Sequence, residues 1–325
     1  MDEFSLIKRF FKLTRPQRAD VIVGIGDDAA CLQVSPASHL LISTDTLVAN
    51  VHFLESWDPY DIACRAVKVN ISDMAAMAAT PAWISLALTL PSLEETWLER
   101  FSQGLHDTLA QWQIALIGGD ITRGPLTITF TIHGLAPIGT AVQRTGASAG
   151  DCIYVSGQLG AAALAVQQLD SSSNSTDINR SLTKDEQTTL LQKLLQPTPR
   201  TDLTELLRRF ASAAIDISDG LGADLNHLCQ MSQVGARLNA DQIPVHPLVK
   251  DVLGQEALNL ALSGGDDYEL CFTIPQEEEA NFLLSCEEQN LHCYHIGIIQ
   301  VEKGLFLERK DGRIEVLSPC GYQHF

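Results

Sequence analysis

Five times in this chain an apolar run passes through small residues into aspartate. The stretches are Val21-Ile22-Val23-Gly24-Ile25-Gly26-Asp27-Asp28, Leu40-Leu41-Ile42-Ser43-Thr44-Asp45, Ala115-Leu116-Ile117-Gly118-Gly119-Asp120, Ala214-Ile215-Asp216-Ile217-Ser218-Asp219-Gly220 and Ser263-Gly264-Gly265-Asp266-Asp267. A strand that stops at glycine is a usual place to build a site, because the backbone there can approach a ligand closely. A further carboxylate, Asp73, sits three residues after Asn70 on one face of an apolar helical stretch. If Asp28, Asp45, Asp73, Asp120, Asp216 and Asp219 converge, each pair about 4 Å apart repels by about 4 kcal/mol at an effective dielectric near 20. Several such pairs rival the roughly 5–15 kcal/mol that holds a domain together. Such a cluster stands only if some of the carboxylates protonate or if cations bind, and for cations an all-oxygen donor set favours Mg²⁺ over zinc or copper. The hydroxyls of Ser43 and Thr44 suit the same shell. Mg²⁺ also bridges carboxylates to phosphates, so an acidic protein can hold an anion. A single aspartate at a turn has an ordinary reading, since its side chain satisfies local N–H groups. Asp27, Asp224 and Asp267 are read in that way, as turn, cap or supporting residues.

Other chemistries are excluded. The chain has no G-x-x-x-x-G-K-[ST] phosphate loop and no H-R-D or D-F-G kinase set. The Gly24-x-Gly26 turn lacks the third glycine and the following helix of a dinucleotide fingerprint. A net charge of −18 argues against nucleic acid as a partner. The acidic start, Met1-Asp2-Glu3-Phe4, is unlike a signal peptide, and no apolar run approaches the roughly 20 residues of a membrane span. The eight cysteines are scattered without a C-x-x-C pair, the pattern of reduced, mostly buried thiols rather than a disulfide or zinc framework. These features predict a cytoplasmic protein with no membrane partner.

The elements that must position the aspartates can be read in order. Apolar spacing predicts a helix over 4–13, then strands near 20–25 and 39–44, each delivering an aspartate at its C-terminal end. Asp58-Pro59 opens a long apolar helix, as N-cap and first helical residue, running to about Ala79. A strand over 83–90, an amphipathic helix over 94–112, a strand ending at Gly118-Gly119-Asp120 and an alternating strand over 126–137 follow. A boundary falls near 145–150, giving domains 1–147 and 148–325; 325 residues suit two domains. Beyond it come a strand at 152–155, a helix to about 169 and a polar segment, 170–184, read as a mobile surface loop. Then follow a helix after Pro197-Thr198-Pro199-Arg200, a strand over 212–217, a helix over 220–231 and strands near 270–274, 293–299 and 304–308. The fold class is mixed α/β (α+β). The two Gly-Gly-Asp turns, 118–120 and 264–266, hint at related halves.

Taken in order, Gly26-Asp27-Asp28-Ala29-Ala30, Ser43-Thr44-Asp45-Thr46-Leu47 with Val51-His52-Phe53, Asn70-Ile71-Ser72-Asp73, Gly118-Gly119-Asp120-Ile121-Thr122-Arg123-Gly124, Asp216-Ile217-Ser218-Asp219-Gly220-Leu221 and Ser263-Gly264-Gly265-Asp266-Asp267-Tyr268-Glu269-Leu270 resemble the motif series of the bacterial thiamine-monophosphate kinase family. That family shares a superfamily with aminoimidazole ribonucleotide synthetase, selenophosphate synthetase and the hydrogenase maturation factor HypE. The resemblance spans nearly the whole chain, to the closing Tyr322-Gln323-His324-Phe325.

The resemblance implies a two-domain aminoimidazole ribonucleotide synthetase-like fold and a homodimer whose N-terminal domains share a β-barrel. It implies ATP-dependent phosphorylation of thiamine monophosphate to thiamine diphosphate, the last step in making that cofactor. Matched by motif, Asp28, Ser43, Thr44, Asp45, Asp73, Asp120, Asp216 and Asp219 would hold several Mg²⁺ ions. Gly119, Asp120, Arg144 and Ser218 would contact ATP, and His52, Asp266 and Tyr322 would face thiamine monophosphate. His52 alone could equally be a packed histidine, Tyr322 mere tail packing and Arg144 a surface ion-pair residue. The family usually has Glu where this chain has Asp266, one methylene shorter. No catalytic side chain is assigned, because a phosphate acceptor with a second pKa of about 6 is already ionised at neutral pH. Two other readings stand beside this one: another ATP-using synthetase of the superfamily, and a non-catalytic metal- or nucleotide-binding protein. No reactive cysteine near residues 15–20 supports selenophosphate chemistry.

Overall fold

The structure is a computed structural model that describes residues 3–12, 18–169 and 182–322. It divides into two units, one of Met1–Met74 with Ala79–Ala141 and one of Ala75–Ala78 with Val142–Phe325.

In the first unit, α1 (Glu3–Leu6) continues as a π-helical turn over Ile7–Phe11 that buries Phe10 and Phe11. Leu13, the end of the predicted helix, lies outside the described residues. The short strands β1 (Val21–Val23) and β2 (Cys31–Leu32) pair antiparallel. Then come β3 (Ser38–Val48), α2 (Pro59–Ala76), β4 (Thr80–Leu90), α3 (Glu95–Gln111), β5 (Ala115–Arg123) and β6 (Thr127–Pro137). The sheet order is β3-β6-β4-β5, with only β4 and β5 parallel. It is an open sheet with β3 and β5 as edges; no closed barrel is present among the described residues.

Asp58 starts α2 as its sequence predicts, Oδ1 accepting the Tyr60 N–H at 2.9 Å. The helix is buried on most sides, through Ile62, Ala63, Ala66, Val67, Ile71 and Met74. It ends at Ala76, short of Ala79, because Ala78 takes a left-handed φ of 53° and β4 begins at Thr80.

The expectation that each aspartate closes a strand needs correction. Asp45 lies inside β3 and Asp120 inside β5, because pairing continues past both. Asp45 faces Phe130 and Val48 still faces Thr127; Asp120 faces Ala87 and Arg123 still faces Leu90. Gly119 makes no turn. It lets β5 lie against β4, where a Cβ would stand 1.8 Å from the Leu86 carbonyl oxygen. Of the five, Asp216 alone ends its strand, and Asp266 follows a helix.

The second unit contains β7 (Cys152–Val155), α4 (Ala161–Leu169), α5 (Lys184–Leu195), α6 (Thr204–Phe210), β8 (Ala213–Asp216), α7 (Leu221–Ser232) and β9 (Gly235–Asn239). After these come α8 (Pro247–Leu253), α9 (Ala257–Ser263), β10 (Leu270–Ile274), α10 (Glu279–Glu288), β11 (Tyr294–Gln300), β12 (Gly304–Glu308) and β13 (Ile314–Leu317). Their sheet order is β13-β12-β9-β11-β7-β10-β8, and only β9 and β12 run parallel. Every residue of β7, β8 and β10 is buried, as continuous apolar runs require when both faces are covered. Tyr154, Phe210, Phe272 and Phe282 pack into one aromatic cluster. Most of the 170–184 segment lies outside the described residues; α5 begins at Lys184, with Thr183 and Glu186 forming a capping box.

The two Gly-Gly-Asp stretches do not mark corresponding places, since one lies within β5 and the other follows α9. All eight cysteines are free; Cys31 and Cys320 are exposed. Among the described residues no helix is long and apolar enough to cross a membrane.

Candidate functional site

In the first unit the period-two alternation of β3 sorts the predicted ligands. Leu41, Ser43, Asp45 and Leu47 share the more buried face, whereas Leu40, Ile42, Thr44 and Thr46 share the exposed one. Ser43 Oγ donates to Asp73 Oδ2 at 2.5 Å, joining β3 to α2. That bond supplies the partner a carboxylate on so apolar a helix needs. Beside Asp73, Asn70 is fully buried; its Nδ2 donates to the Ala66 carbonyl, and its Oδ1 has no hydrogen-bond partner. Thr44 does not join this group through its hydroxyl, which pairs with Thr131 Oγ1 at 2.9 Å on the opposite face.

Asp120 stands exposed on the far edge of the sheet. One cross-strand row runs Asp45, Phe130, Leu86, Gly119. Three strand spacings place Asp45 and Gly119 about 14 Å apart along the sheet. Asp28 is exposed in the turn between β1 and β2, where Asp27 Oδ1 accepts the Asp28 N–H at 2.9 Å. Among the described residues of this unit no three carboxylates bring oxygens within 4.8 Å of one another. The unit presents its predicted oxygen donors in separate places, Asp28 and Asp120 exposed and Ser43, Asp45 and Asp73 half-buried, rather than in one closed cage. His52 follows β3, and its Nδ1 accepts the Val48 N–H at 3.0 Å. The neutral ring therefore carries its hydrogen on Nε2.

In the second unit three distant segments are zipped together by backbone hydrogen bonds. Asp266 N–H donates to Ser218 O at 2.8 Å, Tyr268 N–H to Ile217 O at 2.9 Å and Tyr322 N–H to Asp219 O at 3.2 Å. Ser218, Asp219, Asp266 and Tyr322 are thus brought together, with Asp216 buried at the end of β8 just before them. Gly265 is required by this closeness, since a Cβ there would meet Ser218 O at 2.3 Å. Asp266 and Tyr268 hold left-handed φ values of 71° and 50°, a strain of the kind that clusters at functional sites.

The loop itself is shaped by Asp224. Its Oδ2 accepts the N–H groups of Ser218, Asp219 and Gly220 at 3.0, 3.0 and 3.2 Å. Burial pushes its carboxyl up to about 7, against the pull of those donors. Asp267 is half-buried; it accepts the Gly160 N–H at 2.9 Å, and desolvation of its carboxyl holds that group well above the usual range. Arg144 lies exposed before β7, and its carbonyl accepts from Ser232 Oγ at 2.9 Å.

One group escaped the sequence reading. Glu269 Oε2 accepts from Ser156 Oγ at 2.5 Å and from Arg200 Nη1 at 2.9 Å, while Arg200 also pairs with Asp202. Arg200 further donates to the Ser156 carbonyl. Glu269 was visible as the end of the Gly-Gly-Asp-Asp-Tyr-Glu motif, but nothing local pairs it with Arg200.

Two successive mixed α/β units, one with acid-bearing strands and one with a zipped acidic loop, define an AIR synthase-like architecture. The family models agree: AIR synthase related protein, N-terminal domain, matches residues 26–136, and AIR synthase related protein, C-terminal domain, matches residues 148–310. The chain is 46% identical over 328 residues to thiamine-monophosphate kinase of Salmonella typhimurium, covering 99% of this chain and 98% of that one. It is 41% identical to the enzyme of Haemophilus influenzae, covering 100% and 98%. The crystal structure of thiamine-monophosphate kinase from Stenotrophomonas maltophilia superposes with a TM-score of 0.84 at 41% identity, covering 96% of this chain and 97% of that one. AaThiL complexed with AMPPCP and TMP superposes at 0.78 with 32% identity, covering 93% and 92%. This chain belongs to the thiamine-monophosphate kinase family.

Proposed function

We propose that this chain transfers the γ-phosphoryl group of ATP to thiamine monophosphate, giving thiamine diphosphate and ADP in the cytoplasm. The observation that carries this reading is the end-to-end likeness to thiamine-monophosphate kinases, one of them solved with an ATP analogue and TMP. Domain 1–147 supplies metal, ATP and dimer contacts, and domain 148–325 completes the substrate site.

The cation ligands would be Asp28, Ser43, Thr44, Asp45, Asp73 and Asp120, with Asp216 and Asp219; the Thr44 hydroxyl pairs with Thr131 on the face of β3 opposite Ser43. These all-oxygen donors fit Mg²⁺, and the separation of Asp45 from Asp120 calls for more than one ion. Bound Mg²⁺ neutralises charge on the transferring phosphoryl group. Gly119, Asp120, Arg144 and Ser218 contact ATP. His52, with its ring hydrogen on Nε2, donates to thiamine monophosphate; Asp266 and Tyr322 hold the same molecule. The shorter Asp266 reaches it directly or through water. The acceptor phosphate needs no general base, so transfer is direct and in line.

The functional unit is a homodimer. Supporting this, β3 is an eleven-residue edge strand whose exposed face carries Leu40 and Ile42. Pairing with a second copy would close the two open sheets into a barrel.

The test is ADP release with each component omitted in turn. Release must require both Mg²⁺ and thiamine monophosphate, and γ-labelled ATP without acceptor must leave no labelled protein. ADP release without thiamine monophosphate, or a trapped phosphoprotein, contradicts the reading.

A further inference from the structure

The second unit holds a different cluster of donor atoms, drawn from three elements and used by nothing above. Cys152 on β7, Glu279 at the start of α10 and His295 on β11 each place one ligand atom within 4.8 Å of the other two. No sequence spacing announces the group, because its members are far apart in the chain and meet only through packing.

The sheet explains how they meet. Cys152 and Tyr154 share a face of β7. On the neighbouring strand His295 stands opposite Tyr154, and a bulge between His295 and Gly297 shifts the register. Such a bulge re-aims the side chains beside it. Residue Glu279 reaches the same place from α10, where its Oε1 accepts from Tyr154 Oη at 2.7 Å. The His295 ring lies 5.3 Å from that of Tyr154, and its Nε2 is buried with no hydrogen-bond partner. A buried polar atom left unpaired costs about 1–3 kcal/mol, so an orphan nitrogen on a ring grouped with a thiol and a carboxylate needs an explanation.

We propose that Cys152, Glu279 and His295 Nε2 bind a thiophilic divalent cation of the zinc class, with water as the fourth ligand. One sulfur, one imidazole nitrogen and one carboxylate match zinc and cobalt and are poor partners for Mg²⁺. Three protein ligands plus water is the usual open zinc arrangement, and Glu279 and His295 are only half-buried, leaving solvent a route in. Tetrahedral zinc with ordinary bond lengths sets its ligands about 3.3–3.8 Å apart. The group therefore needs only a small inward movement. On binding, the Cys152 S–H bond breaks, its electron pair becomes the metal–sulfur bond, and the proton leaves to buffer. Burial and the hydrogen bond to Glu279 push the free thiol up to about 11, so metal binding displaces a firmly held proton. The hydrogen bond from Tyr154 to Glu279 orients that ligand in the way outer partners support metal sites.

The test uses the full chain, stripped with chelator and kept reduced, with excess Mg²⁺ present to fill the carboxylate sites. Titration with Co²⁺ should raise a near-ultraviolet sulfur-to-cobalt charge-transfer band that saturates at one ion per chain and is erased by Zn²⁺. Cys152→Ser should abolish the band. His295→Gln, which keeps every cysteine and serves if Cys152→Ser folds poorly, should weaken Co²⁺ binding by more than the roughly 10–100-fold typical of an outer partner. A Cys31→Ser/Cys320→Ser double variant should keep it. No band in the parent chain, a band that survives Cys152→Ser, unaltered binding in His295→Gln or loss in the double variant overturns the proposal.

Discussion

The N–H of Tyr322 donates to the carbonyl of Asp219 at 3.2 Å, fastening the last described residue to the acidic loop after β8. The same loop is fastened to Asp266 through Ser218. A tail residue is thereby placed beside a predicted metal ligand and a predicted substrate residue. Replacing Tyr322 with Ala keeps the backbone bond and removes only the ring, whose face suits a cationic thiazolium. The Michaelis constant for thiamine monophosphate should rise about 10-fold, in line with the loss of roughly 1–2 kcal/mol of cation–π contact, while that for ATP changes little. Equal changes in both constants would remove Tyr322 from the substrate site.

Ser43 holds Asp73 in place from the neighbouring strand. Ser43→Ala should raise the Mg²⁺ concentration for half-maximal activity about 10–100-fold, the usual effect of losing a group that orients or completes a metal shell. Thermal stability should fall by only about 1 kcal/mol, the worth of one hydrogen bond. An unchanged Mg²⁺ requirement would make the bond purely structural.

Asp28 is exposed and lends no side chain to the core. Asp28→Asn should lower kcat at least about 100-fold by removing the charge of a proposed metal ligand. Melting temperature should stay the same, or rise in Mg²⁺-free buffer, as like-charge repulsion is relieved. Normal turnover in this variant would show that the glycine turn at 24–28 is not part of the site.

Asp267 gives a pH signature. Burial raises its carboxyl well above the usual range, so the folded chain binds a proton that the unfolded chain releases near pH 4. Its contribution to stability is therefore fully present below about pH 4 and is lost as pH rises toward the folded pKa, at about 1.4 kcal/mol per pH unit. Asp267→Asn keeps an acceptor for the Gly160 N–H and should remove that slope. Parallel urea midpoints for the two chains from pH 4 to 8 would contradict this.

Much of the fold could be read locally, and the reasons are specific. Asp58-Pro59 fixed the start of α2, the alternation of residues 126–137 marked β6, and Cys152–Val155 stood out as a strand. What stayed hidden depends on pairing at a distance. That Asp45 and Asp120 lie inside strands follows from partners on β6 and β4, which no local pattern encodes. The outward turn of Thr44 could have been read from the alternation of β3, once Ser43 was placed inward by Asp73. The short helices α8 and α9 and the strands β9 and β13 carry weak periodicity and are set by their neighbours. In the second unit the zipped loop, the Glu269–Arg200 pair and the Cys152–Glu279–His295 group each join residues far apart in sequence.

The most direct measurement is identification of the product. The chain, ATP, Mg²⁺ and thiamine monophosphate are combined and followed by ³¹P NMR. The monophosphate signal should be replaced by the coupled pair of signals of thiamine diphosphate, in step with ADP, and this change should be absent without Mg²⁺. Accumulation of inorganic phosphate or AMP, with thiamine monophosphate left intact, would contradict it.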